Sequence, residues 1–275
     1  MSTIADLDGQ ATTDLDFVVD DDGIAVVTFN RPALLNACRA RTRAELRAVF
    51  EHVRTERAVR VLILTGAGRA FSSGQDLVEL GELLVTVDDA TDHALQHLQE
   101  LQDLTSSLLG IGKPVIAALN GVAVGLGAEL ALACDVRLAS TAAKIGFVEA
   151  QRGLFETNGV MYLLPRIVGH GRAAELLLTG DLLDALEAER IGLVGRVVAP
   201  EALLDEAKGL ARRIAANAPI SVRLIKEVLR ETYDRSLPEI MQLEMDGMLA
   251  CLRSNDLRHG VEAFLAKRRP SYRGT

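Results

Sequence analysis

Apolar positions fall into two alternating kinds of block along the chain. Phe17-Val18-Val19 and Ile24-Ala25-Val26-Val27-Thr28-Phe29 are unbroken β-prone runs joined by Asp20-Asp21-Asp22-Gly23, which predicts a hairpin. Asn30-Arg31-Pro32 closes the second run. Over 41–57 the period changes: Leu46, Val49, Phe50 and Val53 recur at helical spacing, predicting an amphipathic helix that feeds a buried strand from Val59 to Thr65. Gly66-Ala67-Gly68 stops that strand. A second helical stretch runs from about His93 to Leu109, and Gly112-Lys113-Pro114 then launches the apolar strand Val115 to Leu119. Val136 to Ala139 and Ala143 to Gly146 read as further short strands. Runs without polar alternation are strands covered on both faces, so the pattern to about residue 150 is βαβ and the fold class α/β.

From about residue 170 the periodicity is nearly all helical: Arg172 to Leu178, Ala185 to Glu189, Glu201 to Ala216, Ile220 to Leu237, Pro238 to Cys251 and Asp256 to Leu265. This divides the chain into a core over 16–200 and a helical C-terminal region over 201–275, with no internal repeat and no low-complexity linker. The first 15 residues are acidic, carry no basic-then-apolar leader pattern and are expected to be frayed. No apolar stretch approaches the 18 residues a membrane span needs, which predicts no membrane insertion and a cytoplasmic protein.

Composition narrows the function further. Across 275 residues, 30 Lys and Arg against 38 Asp and Glu leave a net charge of −8, with the positive residues scattered until the extreme C-terminus. A nucleic-acid surface is disfavoured. Cys38, Cys134 and Cys251 stand alone, without CxxC or a His at ligand spacing, which suits a reducing compartment and offers no legible metal site.

Two glycine-rich segments sit where a strand gives way to a helix: Gly66 to Leu77, containing Ser72-Ser73-Gly74-Gln75-Asp76, and Asn120 to Leu130, containing Gly125-Leu126-Gly127-Ala128-Glu129. Glycine permits close backbone approach, and a helix start leaves N–H groups unpaired at the positive end of its dipole. A phosphate cradle fails on the residues, because Leu130 takes the place of the third glycine of GxGxxG and no Gly-Lys-Ser/Thr is present. The plain reading is tight turns and packing. Two such segments in one chain also suit an oxyanion hole, which needs two converging N–H donors. Ser73-Gly74 does not satisfy GxSxG, and His52, His93, His97, His170 and His259 have no triad context, with His52, His93 and His97 expected to be solvated on surface helices.

Glu129 lies in the first turn of an apolar helix, and Glu149 follows Gly146-Phe147-Val148. Each has a plain reading as a helix-start residue. Read together beside two glycine segments, they are equipment for moving a proton, or adding and removing water, next to a thioester carbonyl.

In order and spacing, Asn30-Arg31-Pro32 with Asn36-Ala37, Leu64-Thr65-Gly66 through Ser73-Gly74-Gln75-Asp76-Leu77, Asn120-Gly121 through Cys134-Asp135, and Ala263-Phe264-Leu265-Ala266-Lys267-Arg268 resemble the enoyl-CoA hydratase/isomerase (crotonase) superfamily over nearly the whole chain. The resemblance implies a spiral of repeated ββα units with a helical C-terminal region that builds a homotrimer or homohexamer. It implies backbone donors at Gln75 and Leu126, with Glu129 activating water for attack on Cβ and Glu149 exchanging the proton at Cα. It implies a coenzyme A and substrate site at Arg31, Ala33, Leu34, Leu35, Ser73, Gly74, Asp76, Leu77, Gly125, Phe264 and Lys267. It implies an acyl-CoA thioester as substrate and no further cofactor, since coenzyme A enters as part of the substrate. It also implies that the variable segment between Leu77 and Gln99 shapes the acyl pocket.

Some positions depart from the family pattern. Leu126 replaces a usual Gly or Ala, Glu156-Thr157-Asn158-Gly159-Val160 replaces a Pro- and Gly-rich stretch, and Ala33 stands where a phosphate-binding Lys is common, passing that duty to Arg31, Arg39, Lys267 or Arg268. Glu156 reads either as a solvated loop charge or as a modifier of substrate choice. Thr157 stands where isomerases often place an Asp, which favours hydration. The alternatives are an enoyl-CoA isomerase or other thioester reaction, and a non-catalytic acyl-CoA-binding or RNA-binding relative.

Overall fold

The computed structural model describes residues 13–85 and 91–275, without the side chains of 82–85 and 91–93. A hairpin of β1 (Leu15–Val19) and β2 (Ile24–Phe29) opens the chain, followed by α1 (Ala40–Thr55). Strand pairs then follow: β3 (Val61–Gly66) with β4 (Ala70–Ser72), β5 (Val115–Leu119) with β6 (Val122–Val124), and β7 (Val136–Ser140) with β8 (Lys144–Gly146). The first member of each pair joins a six-stranded sheet ordered β1-β2-β3-β5-β7-β10, with β10 at Arg196–Val198. The second joins a four-stranded sheet ordered β4-β6-β8-β9, with β9 at Leu183–Asp184. Each strand pair thus steps both sheets forward by one strand, which is the expected spiral of ββα units.

Helices fill the returns. They are α2 (Leu77–Val85) and α3 (Thr91–Leu109) after β4, α4 (Leu126–Ala133) after β6, α5 (Val160–Val168), α6 (His170–Thr179) and α7 (Ala185–Arg190). The C-terminal region contributes α8 (Leu203–Ala215), α9 (Pro219–Glu231), α10 (Leu237–Leu252) and α11 (Asn255–Leu265). The large sheet is covered on both faces, as its unalternating strands require. Along β3, Leu62 and Leu64 enter the main core with Phe29 and Phe71, while Val61 and Ile63 pack against Leu203, Ala207 and Ala211 of α8.

Residues 1–12 of the expected frayed start lie outside the described residues, and its last members are folded: Leu15 begins β1, and Asp14 is buried against Arg39. Of the two helices expected over Ile220 to Leu237 and Pro238 to Cys251, the first, α9, ends earlier, at Glu231, and the second, α10, starts at Leu237 behind a capping box of Ser236 and Glu239. All three cysteines are free thiols. No helix among the described residues is long and apolar enough to cross a membrane.

Candidate active site

The site is assembled where two short strands of the small sheet end. β4 runs out into Ser73-Gly74-Gln75, and the loop ahead of α1 pins that segment: Ser73 N–H donates to the Leu35 carbonyl (2.9 Å), Cys38 N–H to that of Gly74 (2.8 Å), and Asp76 N–H to that of Cys38 (3.0 Å). Asn36, buried with a φ of 57°, a conformation Asn tolerates better than most residues, donates its amide to the carbonyls of Ala67 (3.0 Å) and Ala70 (2.7 Å). Asn120 takes the same loop from the other side, donating to Gly68 (3.0 Å) and Ala70 (3.1 Å) and accepting from Gly66 N–H (3.0 Å). Both motif asparagines are therefore fasteners that set the direction in which β4 leaves the sheet.

β6 ends at Gly125, the residue before α4. Gly125 (φ 52°) and Gly74 (φ 90°) both occupy backbone conformations that a Cβ would strain. A Cβ on Gly74 would stand 3.2 Å from the Leu126 nitrogen, and one on Gly125 would stand 3.0 Å from Glu149 Oε1. These approaches bring the two glycine segments and Glu149 into direct contact. Leu126 opens α4, so its N–H has no helical acceptor, and the N–H of Gln75 likewise donates to nothing among the described residues.

Gln75, Leu126, Glu129 and Glu149 line one cavity of about 460 Å³, whose wall also contains apolar side chains such as Leu101, Val148 and Phe155. This is the usual make-up of a small-molecule site. Glu129, in the first turn of α4, is 2% exposed, and Glu149, just ahead of the turn Ala150–Arg152, makes no side-chain capping bond there. Asn158 Nδ2 donates to Glu129 Oε2 at 2.5 Å. Glu156 swings in as a third carboxylate, and oxygens of Glu129, Glu149 and Glu156 all lie within 4.8 Å of one another. The solvated-loop reading of Glu156 is thereby corrected. Hard cations take oxygen donors of this kind, although Asn158 aims an N–H rather than an oxygen at the cluster.

The electrostatics follow from burial and crowding. Burial pushes the Glu129 carboxyl above its usual range; the Asn158 hydrogen bond opposes this, and the charge of Glu149 adds to it. Burial, then the charge and contact of Glu149, then Glu129, push Glu156 up to about 9.

A groove of about 770 Å³ shares Ser73, Gln75 and Leu77 with the cavity and is lined by Arg31, Leu34, Leu35 and Asp76, as expected for the coenzyme arm. Two of its three arginines are already engaged. Arg31 holds the Ala37 carbonyl (2.5 Å) and Asp76 (3.0 Å), and Arg39 holds Asp14 (2.7 Å). Arg152, which sequence reasoning missed, lines both cavity and groove and forms no ion pair among the described residues. Ala33, Phe264 and Lys267 are not brought to either space within the chain. Ala33 lies on the turn Pro32–Leu34, and Phe264 is 82% exposed on α11, just ahead of Lys267 and Arg268.

His97 also overturns its expectation. It is half-buried and lines the cavity, with Nε2 2.7 Å from Gln75 Nε2, and burial followed by the Arg43 charge lowers its pKa. The signal was in the sequence: Ala94, His97, Leu98 and Leu101 occupy one helical face, and that face of α3 covers the cavity. His93 lies outside the residues whose side chains are described.

Comparison with known proteins agrees with this architecture. The sequence model of the enoyl-CoA hydratase/isomerase family matches residues 20–275. A crotonyl-CoA hydratase of Syntrophomonas wolfei is 37% identical over 253 residues, covering 92% of this chain and 95% of its own. A 1,2-epoxyphenylacetyl-CoA isomerase of Escherichia coli is 37% identical over 252 residues, with 92% and 95% covered. The crystal structure of an enoyl-CoA hydratase from Bacillus anthracis superposes with a TM-score of 0.89 at 33% identity, covering 96% of this chain and 100% of that one. By its fold, the order of its motifs and these relatives, the chain belongs to the enoyl-CoA hydratase/isomerase family.

Proposed function

We propose that this enzyme hydrates a trans-2-enoyl-CoA reversibly to a 3-hydroxyacyl-CoA. The observation that carries the reading is the facing of Glu129 and Glu149 in one apolar cavity beside the unpaired N–H groups of Gln75 and Leu126. In this reading the two N–H groups hold the thioester oxygen and stabilise the enolate that forms as water adds to Cβ. Glu129, ionised, takes a proton from that water, and Glu149 delivers one to Cα. A base with a raised pKa moves the acid limb of the rate profile to higher pH than an ordinary carboxylate would, because activity rises only as Glu129 loses its proton.

Coenzyme A enters with the substrate, its arm along the groove, and the free guanidinium of Arg152 is the cation best placed to meet its phosphates. Replacing Glu129 or Glu149 by Gln keeps the shape and removes the acid–base function. Each variant is expected to lower kcat by about 10²-fold or more, followed as loss of the conjugated-thioester absorbance, with the circular dichroism spectrum unchanged. Full hydration by both variants would overturn the assignment. The E. coli isomerase relative supports a second reading, isomerisation of a CoA thioester at the same site. Product analysis with 2-enoyl and 3-enoyl substrates separates the two: a 3-hydroxyacyl product supports hydration, and a shifted double bond supports isomerisation.

A further inference from the structure

We propose that Glu156 is a positioning residue of this site, a third carboxyl that stays neutral and bridges Glu129 and Glu149 from behind, so that it sets how much negative charge the pair carries without touching substrate. The inference rests on the acid–base reading of the pair only for its kinetic consequence; the proton itself is argued from the geometry.

Three carboxyl groups whose oxygens lie within 4.8 Å of one another cannot all be ionised in a buried setting, because each added charge is repelled by two others through a medium of low dielectric. Each of the three also has one buried oxygen without a donor: Oε1 of Glu129, Oε2 of Glu149 and Oε2 of Glu156. The Asn158 amide supplies one hydrogen bond to Glu129 Oε2 and leaves those three oxygens unserved. A carboxylate oxygen joins another only through a hydrogen, so the cluster needs at least one member that keeps its proton and donates it.

Position selects which member that is. Glu129 and Glu149 line the cavity, as do Phe155, Thr157 and Asn158 on either side of Glu156, whereas Glu156 itself does not. Its carboxyl is therefore turned away from the substrate space and toward the pair. The remaining ionisable groups around it do not offset its burial: Arg152 and His97 face the cavity, and Arg166 of α5 is engaged by Asp234. Burial, with the charges of Glu149 and Glu129, raises its pKa to about 9, so it keeps its proton at neutral pH. Above that value Glu156 loses its bridging proton, and a further negative charge stands near the enolate oxygen that the site has to stabilise.

Two variants and two readouts test this. In Glu156→Gln the neutral donor is kept and the titration removed. The hydration kcat/KM at pH 7 is expected to stay within about threefold of the parent enzyme, while the alkaline decline centred near pH 9 disappears. In Glu156→Leu the donor is lost, and kcat is expected to fall about tenfold or more with KM little changed. The second readout needs no activity. Infrared difference spectra of the unmodified enzyme should contain a protonated-carboxyl C=O band that titrates away near pH 9 and is missing from Glu156→Gln. If that band is absent from the parent, or persists in Glu156→Gln, the proposal is overturned. It is equally overturned if Glu156→Gln is as impaired at pH 7 as Glu156→Leu. An enzyme that hydrates nothing but contains the band would defeat the hydratase reading and leave the proton on Glu156.

Discussion

Leu126 lines the cavity with a buried side chain, and its backbone N–H has no partner among the described residues. A smaller residue there would leave the donor in place and enlarge the acyl space. Leu126→Ala is accordingly expected to shift the ratio of kcat/KM between a long or branched acyl chain and a short one by about tenfold in favour of the larger, with the Glu129-dependent pH limb unchanged. A panel of enoyl-CoA chain lengths measures this. An unchanged preference would mean that the Leu126 side chain does not meet the acyl group. Gln75, Leu126 and Glu129 lie within the motifs that carry the family resemblance, and Glu149 follows Glu129 at the separation that resemblance implies; all four line one cavity. Glu156 was legible only as an anomaly, since whether its carboxyl points to solvent or inward depends on the path of the chain from the turn at Gly153 to Gly159, which no periodicity encodes. Arg152 and Asn158 were missed for the same reason: nothing in their neighbours' spacing reports that they face a cavity assembled from four distant segments.

Most elements long enough to show a period were legible, and those of two or three residues, β8 excepted, were not. β1, β2, β3, β5 and α1 agree with the hydrophobic pattern to within a few residues, while β4, β6, β9 and β10 are too short for alternation to register. α5 was missed because Pro165 reads as a helix breaker, yet Val160 and Leu164 bury one face of it. Contacts between elements were further out of reach, and Asp14 shows what they contribute. Sitting just before β1, it takes a two-pronged pair from Arg39 (2.8 and 2.7 Å) and a bond from Thr42 Oγ1 (2.6 Å), tying the first strand to the start of α1. Burial by itself would raise its pKa; the bonds from Arg39 and Thr42, with the charges of Arg39 and Arg31, outweigh this and lower it from 3.8 to about 2. A carboxyl with a depressed folded-state pKa stabilises the fold fully above its unfolded value and loses that contribution as pH falls through its folded value. Asp14→Asn should therefore cost roughly 2 kcal/mol at pH 7, with the difference from the parent closing between about pH 4 and pH 2. Urea titrations at a series of pH values measure it, and a deficit that persists unchanged into that acid range would assign the loss to packing rather than charge.

At the scale of the molecule, the C-terminal helices expose a row of large apolar side chains. Leu237, Met241, Met245, Met248 and Leu252 recur along α10 at spacings of three and four and are all exposed, with Met245 at 57%, and Phe264 and Leu265 extend the apolar surface onto α11. Continuous exposed patches of this kind mark an interface. The resemblance read from sequence assigned this region to a homotrimer or homohexamer, and such an assembly would also give a purpose to Phe264 and Lys267, which lie beyond reach of their own chain's groove. The expected arrangement is that the tail of one copy reaches the coenzyme groove of another. Sedimentation should then give a mass of three or six chains, and Met245→Glu, which places a charge in the middle of the apolar face, should lower that mass. If the tail does serve a neighbouring groove, the same substitution should raise KM for the CoA thioester by more than it lowers kcat, because binding groups leave while Glu129 and Glu149 remain in place. A monomeric parent enzyme with full activity would refute the arrangement, since each chain would then have bound its substrate without a neighbour's tail.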